Sequence, residues 1–162
     1  MPDWKSIIEA FFENSDPTNE FRHLANPGAS AEAIEAAEKQ LGISLPEELR
    51  DFYLCFNGVG MAGEDESDEP RFIRPVEMLP AFINESRSSF AGTHSELASR
   101  FLPFIDWDNG DATGYLLQQD GTLFPGLVTF EHETYHYDAT QDAEEFMTPG
   151  PDSLADFLSG GE

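Results

Sequence analysis

The stretch that decides the fold is SAEAIEAAEKQLGISLPEELRDFYLCFNGVG, residues 30–60. Ser30 is a residue type that caps the start of helices, and Gly42 stands where a left-handed helix end is expected. Pro46 suits the first turn of a further helix, because its missing N–H needs no partner there. The pair Asn57-Gly58 is typical of a helix end. The stretch therefore predicts two helices in close succession.

Further helices are predicted on both sides of this stretch. Residues 3–14 place large apolar side chains at helical spacing, with Asp3 as the N-cap. Residues 16–29 contain two Pro and two Asn and are predicted to form a loop. Near the other end of the chain, SLADFL predicts a short helix capped by Ser153. Cys55 adjoins an apolar helix stripe, so we expect a buried, inert thiol.

From Phe101 onward the pattern changes from helical to extended. FLPFIDWD, GYLLQQDGTLF and GLVTFEHETYHYD are rich in aromatic and β-branched residues, and Asp120-Gly121 is a strong hairpin signal. We predict an α+β fold in which N-terminal helices pack on a mainly antiparallel β-sheet, with a short C-terminal helix and a single domain. Residues 1–29 would be its N-terminal helix and loop, and residues 30–162 its main part.

Charge is the most unusual property of the composition. Eight Lys and Arg face 32 Asp and Glu, which gives a formal net charge of −24, and no Lys or Arg follows Arg100. Such a surface repels nucleic acid and attracts a basic protein partner. Adaptation to a salty cytoplasm explains the same composition, so both interpretations stay open.

The remaining composition indicates a cytoplasmic protein. A single cysteine excludes an internal disulfide framework. No apolar run is long enough to cross a membrane, and the first residues lack the features of a secretion signal. We therefore expect neither membrane association nor export, and a monomer is favoured.

One stretch, FEHETYHYD at residues 130–138, contains the H-E-x-x-H signature of zinc hydrolases in His132, Glu133 and His136. That signature requires a helix, whereas the neighbouring aromatic and β-branched residues favour a late sheet strand. On a strand the two histidines would lie about 13 Å apart, too far to share one zinc ion. A metallohydrolase therefore remains a remote alternative.

A second stretch, DWDNGD at residues 106–111, hints at a calcium loop. The EF-hand pattern fails in it, because Gly110 and Asp111 occupy the wrong positions and Leu117 stands where Glu is needed. A strand end that turns through Asn109-Gly110 explains it better, and weak calcium binding stays an alternative. No catalytic, cofactor-binding or metal-binding residue is predicted, and no cofactor is expected.

Residues 30–60 resemble the opening of the SUKH superfamily, which includes fungal cell-wall assembly regulators and many bacterial immunity proteins. FIDWDNGDATGYLL, LVTFEHETYH and SLADFL are more loosely similar to its later strands and closing helix. The similarity departs at the acidic loop GEDESDEP and in the residues between Asp138 and Ser153. The motif is carried by residues that we expect to be scaffold: Ile34, Glu38, Leu41, Gly42, Leu45, Pro46, Leu49, Phe52, Tyr53, Asn57 and Gly58.

The resemblance implies a non-enzymatic binding protein. Bacterial members typically bind and block a toxin, often a nuclease, whose basic cleft an acidic inhibitor would complement. A regulatory scaffold like the fungal members is the alternative. One of the candidate contacts, Trp107, is of a residue type that is expected in a core more often than at an interface. The candidate contacts are acidic and aromatic residues of two loops: Asp65, Glu66, Asp68, Glu69, Asp106, Trp107, Asp108 and Asp111.

Overall fold

Residues 2–160 are described by a computed structural model, and they divide into two compact units. The first, here the helical unit, comprises the residues up to Pro80 together with those from Leu154 onward. The second, the sheet unit, is Ala81–Ser153. The predicted α+β class, the antiparallel strand pairing and the short C-terminal helix are confirmed. The predicted 30–162 segment ends beyond the described residues.

Three helices of the helical unit start at or beside the residues predicted to begin them. Helix α1 (Trp4–Ser15) starts at Asp3, whose carboxylate accepts the Ser6 N–H at 3.3 Å. Helix α2 (Ala31–Leu41) starts at Ser30, whose hydroxyl accepts the Ala33 N–H at 3.1 Å. It ends at Gly42, with φ 73°. Helix α3 (Glu47–Cys55) follows Pro46, and α6 (Leu154–Leu158) returns to this unit from the C-terminal end.

The predicted loop at 16–29 is wrong for six of its residues. Arg22–Pro27 forms strand β1, which pairs antiparallel with β2 (Phe56–Ala62). Asn57-Gly58 therefore lies within β2, since α3 has already ended at Cys55. Strand β1 has few β-forming residues, so its extended state comes from its pairing with β2 and carries little local signal. Cys55 is exposed, which corrects the prediction of a buried thiol.

A 3₁₀ turn (Val76–Met78) leads into α4 (Leu79–Ser88), followed by α5 (Ser95–Arg100). The sheet unit then builds an antiparallel sheet in the order β3-β4-β5-β6. Its strands are β3 (Phe101–Asp106), β4 (Ala112–Leu116), β5 (Val128–Phe130) and β6 (Met147–Pro149), the last preceded by a second 3₁₀ turn (Ala143–Glu145).

Closely packed aromatic rings form the core of the sheet unit. Phe90 lies 4.8 Å from Phe130, and Phe146 packs 5.0 Å from Tyr135, as measured between ring centroids. All four side chains are buried. Within residues 2–160 no helix is both long and apolar enough to span a membrane.

The predicted strand through the H-E-x-x-H stretch is wrong. Strand β5 ends at Phe130, and the chain turns at His132–Thr134, where the Thr134 N–H donates to the Glu131 carbonyl at 3.3 Å. Of the aromatic residues that follow Phe130 in this stretch, Tyr135 is buried outside any strand and Tyr137 is exposed. The predicted tight turn at Asp120-Gly121 does form, but its returning arm makes only the isolated bridge between Leu117 and Leu123.

Candidate partner-binding surfaces

The first surface is the acidic loop at residues 63–70 in the helical unit. The Arg22 guanidinium donates to the carbonyls of Gly63 and Glu66 and forms an ion pair with Asp68. The Glu66 carboxylate turns back to accept the Gly63 N–H at 2.7 Å. Two of the four predicted carboxylates of this loop, those of Glu66 and Asp68, therefore make contacts within the protein, and one cation offsets part of the loop's charge.

The other two predicted carboxylates of this loop point to solvent. Asp65 and Glu69 are both exposed. The Glu69 backbone N–H donates to the Ser67 hydroxyl at 3.1 Å, which bends the chain without using the carboxylate. The acidic loop also carries the exposed Glu64, and it offers a partner several exposed carboxylates and no aromatic side chain.

The second surface lies at the end of β3, in the loop at residues 106–111. Asp106 Oδ1 accepts the Asp108 N–H at 2.8 Å, and Asn109 Oδ1 accepts the Asp111 N–H at 2.9 Å. These two short-range bonds fold the loop tightly, and Asp108 adopts a positive φ of 61° within it. The loop therefore has a defined shape built from its own carboxylate and amide groups.

Trp107 stands on this loop with 41% of its surface exposed, so it is not a core residue. Its indole Nε1 donates to the Thr113 hydroxyl at 2.8 Å, and that hydroxyl is 2.6 Å from the Thr129 hydroxyl. The ring is thus held by one edge against β4 and β5 while part of it faces solvent. A large aromatic side chain fixed in this way loses little conformational entropy when a partner packs on it.

Asp111 joins this loop to the turn that follows β5. Its Oδ1 accepts the His132 backbone N–H at 2.9 Å and lies 2.5 Å from the His132 ring Nδ1. Gly110, with φ 101°, lets the two segments approach, because a Cβ there would lie 3.1 Å from the His132 ring. We call residues 106–111 and 131–134 together the Trp107 surface.

Carboxylates dominate the Trp107 surface. Asp106, Asp108, Glu131 and Glu133 belong to it, and no Lys or Arg exists in the sequence after Arg100. Both arginines of the sheet unit make contacts elsewhere: Arg87 Nε donates to the Phe101 carbonyl, and Arg100 donates to the Leu117 carbonyl and pairs with Glu96. Burial lowers the pKa of the Arg87 guanidinium. The residues of the Trp107 surface therefore carry a negative formal charge.

The H-E-x-x-H residues do not have the geometry of a zinc hydrolase. His132 lies in a turn with Nδ1 directed at Asp111, and the His136 backbone N–H donates to the Gln141 side chain at 2.9 Å. Within the described chain, no group of three or more His, Cys, Asp or Glu is arranged to hold a metal ion. The helical spacing on which the zinc signature depends is absent from this turn.

The residues of the 30–60 motif serve the scaffold of the helical unit. Glu38 Oε2 accepts the Leu45 N–H at 2.7 Å and pairs with Arg50, which raises the pKa of the guanidinium. Asn57 Oδ1 accepts the Val76 N–H at 2.7 Å. Gly42 ends α2, and Pro46 is buried. The apolar members of the motif lie in or beside the core: Ile34, Leu41, Leu45, Leu49, Phe52 and Tyr53.

The positions of His132, on the Trp107 surface, and of the nearby Tyr137 could not be predicted from local sequence patterns. His132 is joined to Asp111 across 21 positions, a distance at which no local pattern indicates contact. Tyr137 is 77% exposed and adopts a positive φ of 58°, although an alternating aromatic pattern favours a strand there. The eight predicted contact residues divide between the two units, four on each.

One comparison with known proteins bears on this chain. A family model described as SMI1 / KNR4 family (SUKH-1) matches residues 28–160, which is well over half of the sequence. No curated protein matches it. The match covers the 30–60 motif, both candidate surfaces and the C-terminal helix.

Proposed function

Since the chain belongs to the SMI1 / KNR4 family (SUKH-1), we propose that it is an immunity-type protein that binds one basic toxin domain and blocks it by occlusion. The family supports a role in protein interaction or immunity, and its members are generally non-enzymatic. The further step, to a toxin as the partner and the Trp107 surface as the contact, rests on the geometry of that surface.

The observation that carries the proposal is the immobilised, exposed indole of Trp107. Interfaces concentrate their binding energy in a few aromatic and arginine side chains, and tryptophan is prominent among them. Because the hydrogen bond from Nε1 to Thr113 already fixes the ring, little further ordering is needed on association.

The charge around Trp107 selects the kind of partner. The carboxylates of this surface attract a basic surface, such as the substrate cleft of a nuclease, and accelerate encounter at low ionic strength. Occlusion of that cleft needs no chemistry from the inhibitor. The acidic loop would add attraction through Asp65 and Glu69, with less effect where Arg22 offsets Asp68.

The experiment pairs this protein with the product of the neighbouring gene. The two are co-expressed to score protection from growth arrest, and binding is measured with the purified proteins. Trp107→Ala should weaken binding about tenfold and reduce protection. Phe21→Ala, which removes an exposed aromatic ring from the helical unit, is the matched control and should change neither readout.

Two outcomes would contradict the proposal. In the first, the neighbouring gene product arrests growth regardless and does not bind the purified protein at low salt. In the second, Trp107→Ala and the control bind equally well. Recovery of housekeeping proteins in place of a single toxin would favour the regulatory scaffold.

A further inference from the structure

Tyr137 combines the greatest exposure among the large apolar side chains of the described residues with an unfavourable backbone conformation. Its side chain is 77% exposed, and its φ is 58°, in the left-handed region. Glycine and asparagine adopt that region readily, whereas a bulky aromatic residue seldom does. A residue held this way, with its side chain directed at solvent, points to a role outside the fold.

Contacts on both sides hold the Tyr137 backbone in place. The Gln141 side chain accepts the His136 N–H at 2.9 Å and donates to the Thr134 carbonyl at 2.7 Å. The Tyr137 ring lies 4.6 Å from the buried Tyr135 ring, whose hydroxyl is 2.5 Å from the Thr93 hydroxyl. The exposed ring of Tyr137 therefore packs against the aromatic core of the sheet unit through Tyr135.

The turn that carries Tyr137 continues from the Trp107 surface. His132 stands five positions before Tyr137 and is bonded to Asp111 on the Trp107 loop. The following residue, Asp138, accepts the Thr140 N–H at 2.9 Å and the Thr140 hydroxyl at 2.8 Å, and these bonds lower its pKa. Asp138 therefore keeps its negative charge at the position that follows Tyr137 in the chain.

We propose that Tyr137 is a second anchor of the Trp107 surface and that it receives an arginine side chain of the partner. A planar guanidinium stacks on an aromatic face and binds carboxylates with two parallel hydrogen bonds, which the ammonium group of lysine cannot do. An aliphatic side chain would gain nothing from the carboxylates, and a nucleic acid would be repelled by them. This inference rests on the proposed function for the existence of a basic partner.

The test uses hexa-arginine and hexa-lysine peptides, which carry equal charge, in titrations near physiological salt. The unmodified protein should bind hexa-arginine about threefold more tightly than hexa-lysine. Tyr137→Gly should bring the two affinities close to each other. Phe124→Ala removes an exposed ring elsewhere in the sheet unit and should leave the arginine preference unchanged.

Thermal unfolding of two variants tests whether the backbone at Tyr137 is strained. Tyr137→Gly should melt at a higher temperature than Tyr137→Ala, because glycine adopts a positive φ freely and alanine does not. This order is the reverse of the usual one, since alanine normally restricts the unfolded chain more. Equal melting points, or a more stable alanine variant, would overturn the claim of a strained anchor.

The peptide result and the toxin result separate the two proposals. If the Tyr137→Gly variant still binds hexa-arginine more tightly than hexa-lysine, the inference is overturned even if the protein neutralises the toxin. A Tyr137-dependent arginine preference supports the inference, and if the neighbouring gene product is then not bound, it is the toxin assignment that fails.

Discussion

Glu48 on α3 bonds to the first residue of a helix that begins 106 positions later. Its Oε1 accepts the N–H of Leu154 at 2.8 Å, and its Oε2 accepts the N–H of Ala155 at 3.2 Å. The first N–H groups of a helix have no partner inside that helix, so an external carboxylate satisfies them and complements the positive end of the helix dipole. Leu154 and Leu158 are buried, so this bond helps to close the helical unit.

Replacement of Glu48 by alanine should lower the free energy of unfolding by about 1–2 kcal/mol, because two helix N–H groups lose their acceptor. Glu47→Ala is the matched control. It removes an exposed carboxylate from the same first turn of α3 and should cost less than about 0.5 kcal/mol. Urea denaturation of both variants gives the comparison, and equal losses would contradict a capping role for Glu48.

The sequence predicts those parts of the fold that depend on local chemistry. Asp3, Ser30 and Gly42 act within a few residues of their own positions, and α1 and α2 follow them closely. The C-terminal helix was also predicted, with Ser153 as its cap. The acceptor for Leu154 and Ala155 is nevertheless Glu48, and no local pattern shows a bond across 106 positions.

The remaining elements depend on partners that are distant in sequence. Strand β1 is extended because β2 lies beside it, and the turn at His132 follows the short β5 because Asp111 and Gln141 bind it. Of the candidate site, the charge is read directly from composition. The ion pair between Asp68 and Arg22 and the exposure of Tyr137 both depend on tertiary structure.

Glu38 should contribute more to stability than its partner Arg50. The Glu38 carboxylate accepts the Leu45 N–H as well as pairing with the Arg50 guanidinium, so its removal costs the Leu45 N–H its acceptor in addition to the ion pair. We expect Glu38→Ala to lower the free energy of unfolding by about 2 kcal/mol and Arg50→Ala, whose side chain is 42% exposed, by less than about 1 kcal/mol. Urea denaturation tests this order, and an equal or larger loss for Arg50→Ala would contradict it.

Asp16 should make stability depend on pH at the acidic end. Burial alone would raise the pKa of this carboxyl group, but the N–H groups of Phe21 and Glu20 and the ring of His23 outweigh burial and lower it. Since the pKa is lower in the folded protein than in the unfolded chain, the stabilisation is present above the unfolded pKa, about 3.9, and is lost as the pH falls toward the folded pKa.

The Asp16→Asn variant isolates this contribution from the many other carboxylates. It should be less stable than the parent protein at neutral pH, and the difference should shrink as the pH falls from about 5 to about 3. Other carboxylates titrate alike in both proteins, so the difference between their urea midpoints is the informative quantity. A difference that stays constant over this range would show that Asp16 is not the group responsible.

Gly58 should tolerate a side chain far less well than Gly42, although both have a positive φ. A Cβ at Gly58, with φ 104°, would lie 2.8 Å from the Ile73 carbonyl oxygen, whereas a Cβ at Gly42, with φ 73°, would have nothing within 4 Å. Gly42→Ala therefore carries only the conformational cost, about 1–2 kcal/mol. Gly58→Ala adds a clash with backbone, which cannot rotate away as a side chain can, and should cost about 1–3 kcal/mol more. Urea denaturation of the two variants measures the difference in their free energies of unfolding. Similar losses would contradict this prediction, because they would show that Ile73 can move away from position 58. Residue 73 would then pack less closely on β2 than the backbone hydrogen bonds between them indicate.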